Sequence, residues 1–280
     1  MTLNLPPEDS NQVVAFCINL DRRPDRWTSA QEQWRKFSDS PGNLLRVKAV
    51  DTGSLVGCGQ SHQLCVDHAK RKQMPWILVL EDDIVFADNS KTLWSEQVQA
   101  LSKHAICDVF RPGLSSVNNA TRIKPPLYQF RDASGLFMTL YFESSYDTVL
   151  RWSPGDGHID RWLSWQSSLT NLTAVPFIAS TLDGQSDIRN RQVEDSNIIT
   201  RTQKQLENLD STVARDRAPG VLPVQAAAPI PYVQLKPTLM EGPRVLPGQR
   251  VPFVSRKGTV SLGATVRTSD GRILRQINHS

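Results

Sequence analysis

The chain has 280 residues, 39% hydrophobic and 21% charged, which allows a sizeable core and excludes wholesale disorder or collagen-like repetition. Its longest apolar runs, such as Trp76–Leu80, are too short to cross a bilayer as a helix. The net charge of +4 does not by itself mark a nucleic-acid binder, and it is unevenly placed: residues 201–280 hold 12 Lys/Arg against 5 Asp/Glu, residues 1–200 hold 20 against 23. The opening MTLNLPPEDS has neither a basic start nor an apolar signal core, and four cysteines are too few for a disulfide scaffold. The expectation is a cytoplasmic protein with free thiols.

Strand-like and helix-like runs alternate over the first two hundred residues, which argues for an α/β architecture. Val13–Ile18 reads as a buried strand. Trp27, Ala30, Trp34 and Phe37 then fall on one helical face, with Pro24 suited to the first turn. Residues 56–73 predict a second helix ending before Pro75, and Trp76–Leu80 a second buried strand. Leu93, Trp94, Val98 and Leu101 mark a third helix, Cys107–Phe110 and Phe137–Phe142 two strands. A helix starting near His158, a strand over Leu172–Val175 and a closing amphipathic helix through Ile198, Thr202, Leu206, Leu209 and Val213 complete the series. Eight prolines between Ala218 and Pro252 predict an extended linker, and the alternation after it, with a Ser269-Asp270-Gly271 turn, predicts a small β-hairpin. The expected domains are therefore residues 1–216, a Pro-rich linker over 217–252 and a basic β-rich tail over 253–280.

Five segments carry chemistry. Glu81-Asp82-Asp83 ends an apolar strand, where three carboxylates must reach solvent, and the carboxyl ends of strands are where open α/β sheets bind ligands. If the chain stays extended, Glu81 and Asp83 share a side and suit Mg2+ or Mn2+; an acidic turn is the other reading. Asn19, Leu20, Asp21, Arg22 and Arg26 lie where the first strand passes into a helix, a position suited to a nucleotide's phosphates or to an ordinary charged loop. Gly57, Ser61 and His62 offer close backbone approach and hydrogen-bonding side chains. Cys58, His62, Cys65 and His68 have the look of a zinc set, but one straight helix cannot surround a tetrahedral ion with four ligands. Asp160 sits where a helix begins and reads as a first-turn acid, a general base or both, with His158 a rival base or an acceptor contact. Asp183–Ile188 reads as a turn.

In this order, the opening Ile18-Asn19-Leu20-Asp21-Arg22-Arg23-Pro24-Asp25-Arg26, Gly57-Cys58-x-x-Ser61-His62, Leu80-Glu81-Asp82-Asp83, Ile159-Asp160-x-x-Leu163 and Ser186-Asp187-Ile188 resemble glycosyltransferase family 25, the lipooligosaccharide and procollagen galactosyltransferases. The resemblance covers residues 12–200. It implies a GT-A-like fold with a mostly parallel central sheet. It further implies a UDP-sugar donor, a divalent metal (Mn2+ or Mg2+) at Glu81 and Asp83, and transfer with inversion of galactose or glucose to a glycan, lipid-linked or protein hydroxyl. On this reading Asp160 is the base, Asp82 contacts the donor, and the activity belongs to lipooligosaccharide biosynthesis.

Two rivals come from other classes. One is a catalytically inactive GT-A-like binding module. The other is a nucleic-acid-directed enzyme or binder using the basic tail, which the scarcity of aromatics there disfavours: only Tyr232 and Phe253 follow residue 218. Weak contact of the tail with an anionic membrane surface is a further expectation.

Overall fold

A computed structural model describes residues 3–104, 106–186, 191–193 and 195–216, together with short strand segments in the last thirty residues. It divides into two compact units, Met1–Pro223 and Val224–Ser280. The first opens with β1 (Ala15–Asn19), α1 (Pro24–Phe37), β2 (Leu44–Lys48), α2 (Leu55–Arg71) and β3 (Trp76–Glu81). Next come β4 (Ile84–Phe86), α3 (Ser90–Ser102), β5 (Val109–Phe110), β6 (Ser116–Lys124), β7 (Leu127–Ser134) and β8 (Met138–Phe142). α4 (Tyr146–Arg151), α5 (Ile159–Trp165), β9 (Asn171–Ala174), β10 (Ala179–Thr181), β11 (Gly184–Ser186), β12 (Arg191–Val193) and α6 (Asp195–Asp216) complete it.

Eight strands form one sheet in the order β2-β1-β3-β8-β5-β9-β7-β6. β2, β1 and β3 are mutually parallel, as are β5 and β9, while β8 and β7 run against their neighbours. Six of the eight strands therefore point the same way, the mostly parallel α/β sheet expected from the sequence.

Period-2 alternation along β3 divides the core into two layers. Leu78 and Leu80 join Ala15, Cys17, Trp34, Phe37 and Trp94 on the face covered by α1 and α3. Ile77 and Val79 join Ile18, Cys65, Val66, Tyr141 and Trp152 on the face covered by α2, α4 and α5. On the first face Phe37 stacks on Phe86 at 4.9 Å and meets Trp94 edge-on at 5.4 Å, fixing α1 against β4 and α3. No helix among the described residues is long and apolar enough to cross a membrane.

The sequence missed β2 and the β6–β7 hairpin for one physical reason. Both lie at sheet edges and most of their side chains are at least partly exposed, so neither an apolar run nor a clean alternation survives. In the second unit, Val251–Val254 pairs antiparallel with Val260–Gly263, and Thr265–Arg267 with Ile273–Arg275. Residues 217–250 of the linker expected over 217–252, the Ser269-Asp270-Gly271 turn and the Asp187-Ile188 pair lie outside the described residues, while Val251 and Pro252 belong to the Val251–Val254 strand.

Candidate active site

The carboxyl ends of β1, β2 and β3 and the start of α2 enclose an open cleft of about 100 Å³. Ile18, Leu20, Ala49 and Val50 give it an apolar wall. Arg22, Arg26, Asp51, Ser54, Cys58, Glu81, Asp82 and Asp83 give it a charged and polar one. Ile18 and Glu81 are register partners, so the acidic triplet begins where two parallel strands end side by side.

The triplet does not stay extended. β3 ends at Glu81, the chain turns at Asp82 and Asp83, and β4 departs to pair with β10. The expected side-sharing of Glu81 and Asp83 is corrected accordingly. Glu81 continues the Ile77, Val79 face and meets α2: Cys58 Sγ donates to its Oε1 at 3.3 Å, and His62 Nε2 lies 3.3 Å from the same oxygen. Asp82 faces the other way, toward α1. It accepts from Asn19 Nδ2 at 2.7 Å and pairs with Arg26 at 3.2 Å. Asp83, in the turn, meets the same Arg26 at 3.4 Å, and its backbone carbonyl accepts from Leu182 N at 2.7 Å.

The three carboxylates are thereby made unequal. Burial pushes Glu81 up, but hydrogen bonds from His62 and Cys58 and the charge of Arg26 outweigh it and hold the group below its ordinary value. Burial raises Asp82 in spite of Asn19 and Arg26. Burial, then the neighbouring Glu81 charge, pushes Asp83 up to about 7. Asp83 Oδ1 is also buried with no hydrogen-bond partner. A buried carboxylate oxygen with no donor, beside a second carboxylate, fits a hard divalent cation, because oxygen ligands of net negative charge are what such ions take.

The sequence-predicted residues separate by placement. Leu20, Arg22, Arg26, Gly57, Ser61, Glu81, Asp82 and Asp83 line the cleft. Asn19 is fully buried behind it, with both amide hydrogens and the amide oxygen engaged by Arg23 O, Asp82 and Arg46. Asp21 is not a wall of the cleft; its carboxylate pairs with Lys48 at 2.7 Å and Arg46 at 3.4 Å. The Ser61 hydroxyl is committed internally, donating to Gly57 O at 2.6 Å and accepting from Val50 N at 2.8 Å. His62 is fully buried between Glu81 and the Tyr141 hydroxyl, 3.0 Å from its Nδ1. Gly57, which lines the cleft, and Gly59 also let the protein approach itself closely: a Cβ would stand 2.2 Å from Val50 O at Gly57 and 2.4 Å from the Trp152 ring at Gly59.

Asp160 and His158 are not among the cleft walls. Asp160 lies in the first turn of α5, its Oδ2 accepting from Gly135 N at 3.1 Å and its Oδ1 from Arg161 N at 2.7 Å. Each oxygen keeps a lone pair beyond these bonds. Its charge helps raise the Cys58 thiol, after burial and Glu81. His158 is exposed at the N-cap position and makes no side-chain cap bond.

Two residues escaped the sequence reading. Arg111 is fully buried, donates from Nη2 to Asp160 O at 3.1 Å, lies 5.3 Å from the Phe130 ring and leaves Nε and Nη1 without partners. Burial lowers its pKa. Tyr141 orients His62. A charge directly after the apolar Val109-Phe110 strand was the available signal for Arg111, the same logic that singled out Glu81; a tyrosine inside a buried strand gives none.

Residues 43–111 match the model of glycosyltransferase family 25 (LPS biosynthesis protein). That segment supplies β2, α2, β3 and the acidic turn, hence most of the cleft's lining, while Ile18, Leu20, Arg22 and Arg26 lie outside it. A comparison with curated proteins gives no match. Among solved structures, A197 from STIV is similar at TM-score 0.39 and 10% identity, over 65% of this chain and 93% of that one. A glycosyltransferase involved in glycosylation of the major capsid of PBCV-1 is similar at 0.32 and 12%, over 49% and 63%. An apo UDP-glucose pyrophosphorylase is similar at 0.38 and 10%, over 74% and 84%. Scores this low carry no argument about shared function. The family match does: most of the cleft's lining residues lie in the segment that matches the glycosyltransferase family 25 model, which supports a glycosyltransferase.

Proposed function

We propose that the chain transfers a hexose, galactose or glucose, from a UDP-sugar to a hydroxyl of a glycoconjugate, with inversion at the anomeric carbon and with Mn2+ or Mg2+ bound at Glu81 and Asp83. The observation that carries this reading is the buried, unpartnered Asp83 Oδ1 at the end of a parallel strand, inside the family-matched segment. The apolar wall of Ile18, Leu20, Ala49 and Val50 suits a nucleobase, and the charged wall suits a diphosphate. When bound, the cation neutralises the negative charge that develops on the leaving diphosphate.

The chain's own groups supply the rest. Arg26, held between Asp82 and Asp83, keeps a positive charge at the diphosphate end of the cleft. Asn19 holds Asp82 at its place, and so fixes the turn that presents Asp83. The acceptor oxygen forms its bond to the anomeric carbon as the bond to the diphosphate breaks, the electron pair leaving with the diphosphate and the acceptor's proton passing to Asp160. Two backbone N–H groups fix that carboxylate before the acceptor arrives.

The test is release of UDP from UDP-galactose and UDP-glucose, with and without added saccharide acceptors, in Mn2+ or in chelator. Acceptor-stimulated release that chelation abolishes supports the reading. Nucleotide binding without release across an acceptor panel supports the second reading, a cleft that binds a donor and does not turn it over. One observation favours that alternative: Arg26 already supplies positive charge to the two aspartates.

A further inference from the structure

We propose that Cys58 Sγ, His62 Nε2 and Glu81 Oε1 form a second metal centre, selective for thiophilic transition ions such as Zn2+, whose open coordination position faces the cleft. The centre shares Glu81 with the hard-cation site of the proposed function, so Cys58 and His62 on one side and Asp83 on the other tell the two sites apart.

The geometry comes from two rigid elements. Cys58 and His62 are four residues apart on α2 and so share one face of the helix, and Glu81 ends β3 directly opposite. The three ligand atoms all lie within 4.8 Å of one another. A tetrahedral ion with bonds of about 2.0–2.3 Å places neighbouring ligand atoms about 3.3–3.6 Å apart. The Cys58 Sγ–Glu81 Oε1 and His62 Nε2–Glu81 Oε1 separations are both 3.3 Å. These two edges fit without rearrangement of the backbone.

The surroundings complete the set. His62 is oriented through its other ring nitrogen by the Tyr141 hydroxyl at 3.0 Å, the outer partner that metal-bound imidazoles usually have. His62 is fully buried, whereas Cys58 and Glu81 line the cleft, so an ion held by all three meets solvent or ligand on that side. A thiolate, an imidazole and a carboxylate select zinc-like ions over magnesium. The four-ligand set along α2 does not form: Cys65 lies in the apolar core and His68 packs against the Phe16 ring at 5.6 Å. The third ligand comes from β3, which spacing along the helix cannot show. As the metal–sulfur bond forms, the thiol proton leaves to solvent, so charge and atoms balance without an oxidant or reductant.

The test uses the full chain and Co2+, which substitutes for zinc and reports thiolate ligation by sulfur-to-metal charge-transfer absorption in the near ultraviolet. The wild-type protein should show this band at one Co2+ per chain, and one equivalent of Zn2+ should abolish it. Cys58→Ser should lose the band and lower Zn2+ affinity about 100-fold or more, with its circular dichroism unchanged. Asp83→Asn should keep the band, which separates this centre from the hard-cation site. Absence of the band in wild type, or its persistence in Cys58→Ser, would overturn the proposal; the wild-type measurement decides even if the variant does not fold.

Discussion

The two halves of the sheet are built differently. β2, β1 and β3 run parallel, each joined to the next by a helix, and their carboxyl ends carry the cleft. Across β8, the β7 and β6 strands form an antiparallel hairpin whose partner β9 brings the chain back from α5, and none of their residues lines the cleft. The contrast follows from backbone chirality and connection length. Parallel strands need crossover helices, the crossovers leave strand ends and helix starts at one edge, and that edge concentrates backbone donors and charged termini. A hairpin returns at once and leaves no such edge. What the second half offers is the end of its β7 strand, where Gly135 N holds Asp160.

The sharpest way to break this division is Asp160→Asn. If the second half only supports the first, the change leaves transfer nearly intact. If Asp160 takes the acceptor proton, steady-state transfer falls about 10²–10⁴-fold while donor affinity, read by calorimetry, stays within a factor of about two. His158→Gln serves as the comparison and should leave transfer unchanged.

Asn19→Ala tests the first half's internal wiring. It removes the donor to Asp82 and the acceptor for Arg46 in a fully buried position. Unfolding in denaturant should show a loss of about 1–3 kcal/mol, because buried polar partners are left unsatisfied. A neutral result would mean that water takes the amide's place.

The two halves also differed in how much of them the sequence revealed. Trp27, Ala30, Trp34 and Phe37 disclosed α1 because a helix covering a sheet must repeat its apolar face, and Trp76–Leu80 disclosed β3 because a strand covered on both faces must be apolar throughout. Glu81-Asp82-Asp83 stood out because charge directly after such a strand has to surface. The hairpin escaped because its β6 strand is largely solvated and obeys no alternation. Within the site, residue types were legible and partnerships were not. Nothing local to Asn19 or Ser61 distinguishes a ligand contact from a residue whose bonds are all spent holding Asp82 or Val50 in place.

A smaller effect separates Asp83 from its neighbours. Its carboxyl, pushed up to about 7 by burial and by Glu81, binds its proton more tightly folded than unfolded. That contribution to stability is full below the unfolded value near 4 and is lost as pH rises through about 7. In chelator, Asp83→Asn should therefore flatten the decline of thermal stability between about pH 4 and 7 and leave the variant more stable than wild type at pH 8. An unchanged pH profile would show that Asp83 titrates normally.

The smallest effect is expected from the C-terminal unit. The Val224–Ser280 unit is separate from Met1–Pro223 by internal contacts. A chain ending at Arg217 should keep its unfolding midpoint and its donor binding within error. A lower midpoint would make the basic segment part of the catalytic unit.

The central claim is that the strand-end turn binds a nucleotide through a cation at Asp83. Calorimetric titration of UDP into the protein in Mn2+ and in chelator, for wild type and Asp83→Asn, tests it most directly. The account predicts tight binding to the wild type in Mn2+ alone, with chelation and Asp83→Asn each weakening it at least about tenfold, a loss of about 1.4 kcal/mol. Equal UDP affinity in all four titrations, or none in any of them, would contradict it.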